Sequence, residues 1–329
     1  MRTGYALRLL LLALALAQDR AGVDAQTQYV LKDKFVGRDF LDAWTWETMD
    51  DPTHGRVNYV DQRTALQKNL SYATDAKFVM RADSWTRVGG GPRGRDSVRI
   101  TSRGAYGDSL VVLDVAHMPA GCATWPAFWT LSQRGPWPHG GEIDIIEGVN
   151  EATANLVSLH TAPDCTMPQQ RAQTGTVIST DCSGLANSNQ GCGTQMTQAE
   201  SYGAPFNAAG GGWYAMQRAR GRGVRVWFWG RNDQGVPVEV RAGAGLVESV
   251  EGWGMPGADG AEGTCGFDEH FDDHVAVFDL TFCGDWAGSA WSSSGCGQGT
   301  CEDFVNNNPA AFAESYWEIN SLRVYTPGQ

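Results

Sequence analysis

Positive charge is scarce in this chain of 329 residues: 25 lysines and arginines stand against 37 aspartates and glutamates, a formal net charge of −12. Such a surface repels phosphate backbones and anionic lipid headgroups, so neither nucleic acid nor membrane is an expected partner. Beyond residue 17 no run of 18 apolar residues occurs, so no later membrane span is expected. Eight cysteines are present, yet none are spaced C-x-x-C, which leaves zinc ribbons and thioredoxin-type redox centres without support. The G-x-S-x-G, H-E-x-x-H, P-loop and dinucleotide fingerprints are missing too, and with them the serine hydrolase, zinc protease and nucleotide enzyme readings. Internal repeats and linkers rich in proline or serine are lacking, so residues 26–329 read as a single domain.

What the chain does have starts at its N-terminus. Arg2 and Arg8 precede the apolar run Leu9–Ala17, too short to span a bilayer but suited to a secretory signal. Ala15-Leu16-Ala17 offers cleavage after residue 17, and Val23-Asp24-Ala25 offers it after residue 25. A secreted, extracellular protein is expected. The even number of cysteines (122, 165, 182, 192, 265, 283, 296 and 301) then suggests disulfides, with Cys182–Cys192 and Cys296–Cys301 as short loop closures. Asn69-Leu70-Ser71 is an N-glycosylation sequon that fits the secretory route.

Segments rich in β-branched and aromatic residues recur between Gly, Pro, Asn and Asp: Ser97–Arg103, Ser109–His117, Glu142–Glu147, Asn155–Thr161, Val224–Gly230, His274–Cys283 and Tyr316–Tyr325. In Ser109–His117 both alternating sets are largely apolar, as in a strand covered on both faces. No long stretch has helical periodicity, and 41 glycines suit a chain of many turns. The pattern predicts an all-β, antiparallel sandwich.

Chemistry concentrates in Trp137-Pro138-His139-Gly140-Gly141-Glu142-Ile143-Asp144-Ile145-Ile146-Glu147-Gly148. On a regular strand Glu142 and Asp144 share a face, while Glu147 faces the other way. One residue looped out as a β-bulge near Ile145-Ile146 would return Glu147 to the first face. The two glutamates would then sit about 13 Å apart at Cα. Their side chains could lean together to the ~5–5.5 Å carboxyl separation of retaining glycosidases. Crowded acids on a sheet repel, which argues for a wet, functional face. A solvent-exposed edge strand is the bland alternative, and a calcium site is a third reading, although the spacing is not that of an EF-hand.

At these residues the chain resembles glycoside hydrolase family 16, whose signature is E-x-D-x-x-E, and more narrowly the fungal laminarinase-type endo-1,3(4)-β-glucanases. Val57-Asn-Tyr-Val-Asp61, Ser97-Val-Arg-Ile100, Ala116-His-Met-Pro119, Thr124-Trp-Pro-Ala-Phe-Trp129, Leu159-His-Thr161 and Phe282-Cys-Gly-Asp-Trp286 look like family segments in family order. The resemblance implies a β-jelly-roll sandwich of the concanavalin A-like type, with a concave substrate cleft. It also implies that Glu142 is the nucleophile, Glu147 the general acid/base, and Asp144 the assisting residue that hydrogen-bonds the nucleophile. Ionised Glu142 should raise the pKa of Glu147 and keep it protonated.

Aromatic faces stack on the apolar C–H faces of sugars, and Trp129, Trp137 and Trp286 match cleft tryptophans of the family. His160 matches a family histidine near the catalytic pair, and Arg99 is a further candidate for contact with a sugar hydroxyl. Trp213, Trp227, Trp229 and Trp253 read as core packing. Asp268–His274 reads as a solvated acidic loop, and Gly210-Gly211-Gly212 as a flexible one. No metal ligand and no required cofactor are expected; family members often carry a structural calcium, for which no motif here supplies ligands.

The resemblance thus implies a secreted, endo-acting, retaining hydrolase of β-1,3 and mixed-linkage β-1,3/1,4 glucans such as laminarin and lichenan, working as a monomer. Transglycosylation by the same intermediate and non-catalytic, lectin-like glucan binding are the alternatives. The presence of all three acids speaks against the lectin.

Overall fold

The computed structural model describes residues 27–261 and 264–328. The expected signal segment and both cleavage positions lie outside the described residues.

Two antiparallel sheets stack face to face. One runs in the order Thr176–Val177, Cys192–Gln195, Leu156–His160, Glu142–Glu147, Thr124–Ser132, His274–Phe282, Arg99–Tyr106 and Trp44–Trp46. The other runs Leu246–Val247, Tyr29–Phe35, Tyr316–Pro327, Ser109–His117, Gly212–Ala219, Gly223–Gly230 and Ala258–Gly260, with Phe78–Arg81 and Ser71–Ala73 branching from Tyr316–Pro327. The described α-helices span only four to seven residues. This is the antiparallel sandwich that the alternating segments imply, and the jelly roll that the family resemblance implies.

Alternation decides what each strand buries. Phe128, Ile143, Leu159, Ala276 and Phe278 of the first sheet meet Val111, Leu113, Val115, Met216 and Val324 of the second in the main core. Phe128 and Phe278 stack there at 4.3 Å. Ser109–His117 is covered on both sides, as its sequence requires. Its Leu110 and Val112 turn outward into a second cluster with Trp213, Trp227, Trp229 and Trp253. Those four tryptophans are therefore packing residues, capped by the chain segment around Val236–Trp253 rather than placed between the sheets.

Several local expectations are revised. Ser97–Arg103 is not one strand: Arg95–Ser97 pairs in parallel with Val57–Tyr59, and a new antiparallel strand begins at Arg99. Asn155 and Thr161 fall outside the strand Leu156–His160. Gly212 starts a strand, and Gly210 and Gly211 form a left-handed turn before it. A Cβ on Gly211 would lie 2.3 Å from the Val115 carbonyl oxygen, so close backbone approach, not flexibility, requires glycine there. Within the supposed acidic loop, Phe267–His270 is a short helix, and both His270 and His274 are buried. Asp268 does face solvent, paired with Arg220 at 2.8 Å.

All eight cysteines are bonded: Cys122–Cys296, Cys165–Cys265, Cys182–Cys192 and Cys283–Cys301. The expected Cys182–Cys192 closure is present, whereas Cys296–Cys301 is not. Cys296 instead reaches Cys122 at the start of Thr124–Ser132, and Cys301 opens a helix that packs beside Cys283. Sequence neighbours lose here to chain segments that the fold brings closer. Asn69 is exposed, in a left-handed turn that follows the helix Gln62–Gln67.

Candidate active site

The acidic strand lies near the middle of its sheet, between Leu156–His160 and Thr124–Ser132. Glu142 and Asp144 pair regularly, opposite Leu131 and Trp129. The register then slips: Ile146 stands opposite Phe128 and Glu147 opposite Ala127, so Ile145 is the extra residue. This is the bulge that the spacing of the acids demands. Ile143, Ile145 and Ile146 all enter the core, while Glu142, Asp144 and Glu147 occupy the outer face together.

The ladder carries that face sideways. Trp125, Ala127 and Trp129 share it on one neighbour, His160 and Ser158 on the other, and Asp279 and Arg99 farther along. Trp137 Nε1–H donates to Glu142 Oε2 at 2.8 Å, and Trp125 Nε1–H donates to Glu147 Oε1 at 2.9 Å. Each glutamate is thus held by an indole approaching from its own end of the strand. Trp286 meets Trp125 edge-on, with ring centres 5.7 Å apart, and so extends the aromatic wall beyond Glu147.

Between the glutamates, buried Asp144 forms an ion pair with His160 Nε2 at 3.3 Å. His160 Nδ1 lies 2.8 Å from Asn189 Oδ1, an acceptor that favours a proton on Nδ1, and the Asp144 carboxylate beside Nε2 favours a second one. Burial works against that cation, but Asp144 and the two glutamates outweigh it and hold His160 up at about 10. Burial, then Asp144, push Glu142 up to about 8, against His160, the Trp137 N–H and Arg99. Burial and Asp144 likewise raise Glu147 well above the ordinary carboxylate range. Glu142 raises it too, as expected, but ranks behind desolvation and Asp144 among the causes that keep the proton on Glu147.

Trp129 lies under the Arg99 guanidinium, 5.0 Å from its ring centre, and Arg99 pairs with Asp279 at 3.4 Å. Burial drives Asp279 up to about 7 despite Arg99. Every residue singled out from sequence (Glu142, Asp144, Glu147, Trp129, Trp137, His160, Trp286, and Arg99) therefore lies on or beside this one face. Three others escaped notice. Trp125 was legible, since Trp125 and Trp129 are i and i+4 on one strand. Asn189 and Asp279 were not, because their places depend on the loop closed by Cys182–Cys192 and on strand order.

Calcium takes six to eight oxygen ligands. Among the described residues, the groups of acidic, His or Cys side chains close enough to share an ion are Glu142/Asp144/His160 and Cys122/Glu151/Cys296. The first already contains its own cation, and the second contains a disulfide, so neither fits calcium. Asp268, Asp272 and His274 do not combine either, being engaged by Arg220, Ser132, and Thr130 with Gly140.

Two partly buried carboxylates, each held by its own indole on one sheet of a jelly-roll sandwich, define a protein equipped to handle sugar chains. A family model described as XgeA-like, catalytic GH16 domain, matches residues 44–325. A probable endo-1,3(4)-β-glucanase of Aspergillus clavatus is 41% identical over 309 residues, covering 91% of this chain but 47% of that protein. The chain thus spans about half the length of that relative. Laminarinase 16A of Phanerochaete chrysosporium, solved with 6-O-glucosyl-laminaritriose in donor and acceptor sites, is 48% identical with a TM-score of 0.88 over 91% of this chain and all of that one. A solved elongating family 16 β-1,3-glucosyltransferase is 39% identical, with a TM-score of 0.82 over 91% of this chain and all of its own. The chain belongs to glycoside hydrolase family 16 as a glycosidase domain of the XgeA-like branch.

Proposed function

We propose that the protein is a secreted, endo-acting, retaining β-glucanase that cleaves β-1,3 linkages and mixed β-1,3/1,4 chains. The observation that carries this reading is the bulge that brings Glu142 and Glu147 to one face, each with its own indole donor. Glu142 Oε attacks the anomeric carbon while Glu147 gives its proton to the departing glycosidic oxygen, forming an α-glycosyl ester. Water then attacks that carbon, Glu147 takes its proton, and the ester bond to Glu142 breaks to leave a β-product. Trp137 N–H, His160 and Arg99 favour the ionised form of Glu142. Asp144 holds the His160 cation between the two glutamates. No metal or cofactor takes part in this scheme, and the chain acts as a monomer. Four disulfides and the exposed Asn69 sequon support the secretory route.

Digestion of laminarin and lichenan by the purified protein, with NMR of the first new anomeric protons, tests the reading. β-Anomer ahead of mutarotation is expected; α-anomer first would exclude retention. Binding of both glucans without turnover would move the assignment to a lectin-like protein. Transfer to a sugar acceptor is favoured as a second activity by the Trp125–Trp286 wall on the Glu147 side, where an acceptor ring would stack. Longer products from laminari-oligosaccharides would reveal it.

His160 sets the pH range. It lowers both glutamate pKa values, so its loss raises them. In His160→Asn both limbs of the kcat/KM profile should move to higher pH, because Glu142 ionises later and Glu147 loses its proton later. Activity at pH 5–6 should fall most and recover as pH rises. An unshifted profile with uniformly lower activity would show that His160 only packs.

A further inference from the structure

We propose that Asn155 is the positioning residue for Glu147, its carboxamide clamping the bulge that aims the acid/base carboxyl into the cleft. The inference rests on the reading of Glu147 as general acid.

The ladder between Glu142–Glu147 and Leu156–His160 stops at Asp144 opposite Ser158. Past that point the Ile145 carbonyl and the Glu147 N–H have no strand partner on that side, just where the bulge against Thr124–Ser132 falls. Asn155 satisfies both. Its Nδ2–H donates to the Ile145 oxygen at 2.8 Å, and its Oδ1 accepts from the Glu147 N–H at 2.9 Å. One side-chain amide thereby stands in for the peptide group that a continuing strand would have supplied. A bulge without such a partner would leave two buried peptide groups unpaired, and the extra residue could be expelled. Slipping the register by one residue would turn Glu147 to the opposite face.

The clamp is itself fixed. Asn155 is fully buried, its N–H donates to Ser201 Oγ at 3.0 Å, and its carbonyl accepts from the Met196 N–H at 2.9 Å. Beyond the acid, a Cβ on Gly148 would lie 2.7 Å from the Tyr202 ring, so the next residue is confined as well. Glu142 and Asp144 need no such help, since they pair on both sides in regular register. Damage at Asn155 should therefore fall on proton donation and spare nucleophilic attack, an asymmetry that general destabilisation would not produce.

The experiment uses the full chain and a series of aryl β-laminaribiosides whose phenols span a range of acidity. A good leaving group such as 2,4-dinitrophenolate departs without a proton, whereas a poor one such as phenolate needs Glu147. Asn155→Ala should lose about 10²-fold in kcat/KM on the phenyl substrate, the scale of a ~1 Å misplacement. It should stay within about threefold of wild type on the dinitrophenyl one, giving a steeper dependence on leaving-group pKa, with β-product retained. Equal losses across the series, or none, would overturn the proposal. Should Asn155→Ala fail to fold, Ser201→Ala, which loosens the clamp while keeping the carboxamide, is read in the same way, and a smaller steepening is expected. Glu147→Ala is run alongside. If it fails to steepen the dependence, the acid/base reading is wrong; if it steepens and neither clamp variant does, only the role of Asn155 is wrong.

Discussion

Glu142→Ala is expected to lose laminarin turnover by on the order of 10⁴-fold or more, the scale seen when a covalent nucleophile is deleted from an otherwise intact site. The residue that remains leaves a small void beside the Trp137 indole, opposite Leu131 and His160. Azide can enter such a space and attack the anomeric carbon of an activated substrate directly. A single displacement inverts configuration, so the rescued product should be the α-glycosyl azide. Glu147 would still be present to protonate the leaving group, which is why rescue should be substantial. An active Glu142→Ala protein, shown to be free of wild-type enzyme, would remove Glu142 from the chemistry. A β-azide would mean that another carboxylate still forms the ester, and Asp144 would be the one to examine.

For Glu147→Ala the expected loss on laminarin is 10²–10⁴-fold, the usual yield of a positioned acid. Burial and the Asp144 charge hold Glu147 protonated, and the Trp125 N–H holds its Oε1. With a good leaving group the first step proceeds without it and the glycosyl ester on Glu142 accumulates, because no base activates water. Azide then attacks that ester and yields the β-azide, opposite in configuration to the Glu142→Ala product. The basic limb of the pH profile should also vanish, since the group whose deprotonation causes it is gone. Persistence of that limb would assign it to another group, and matching azide configurations in the two variants would refute the division of labour between them.

Much of this was legible before any fold was known. Two of the acids share a face at spacing two, and the third rejoins them only if one residue is looped out, so the bulge at Ile145 follows from the acids themselves. Ser109–His117 carries apolar residues on both faces and is covered on both. Strand periodicity and like-charge repulsion are local properties, and local properties survive in sequence. Trp125 belongs here as well: its face was implied once Trp129 had been placed.

Tertiary structure decided the rest. Which cysteines meet depends on which loops the sandwich folds together, so Cys296 left its neighbour Cys301 for Cys122, far earlier in the chain. The proton on His160 is explained by Asn189 and Asp144 on either side of one ring, a juxtaposition created by a closed loop and by strand pairing. Glu147 owes its raised pKa to depth and to Asp144, and depth is not a property of a residue type. The chain alone determined the order of side chains along each strand, because backbone geometry alternates them by a fixed rule. Only the packed sheets determined solvent exclusion, charge proximity and the carboxamide that holds the bulge, because those arise between segments that sequence order does not place together.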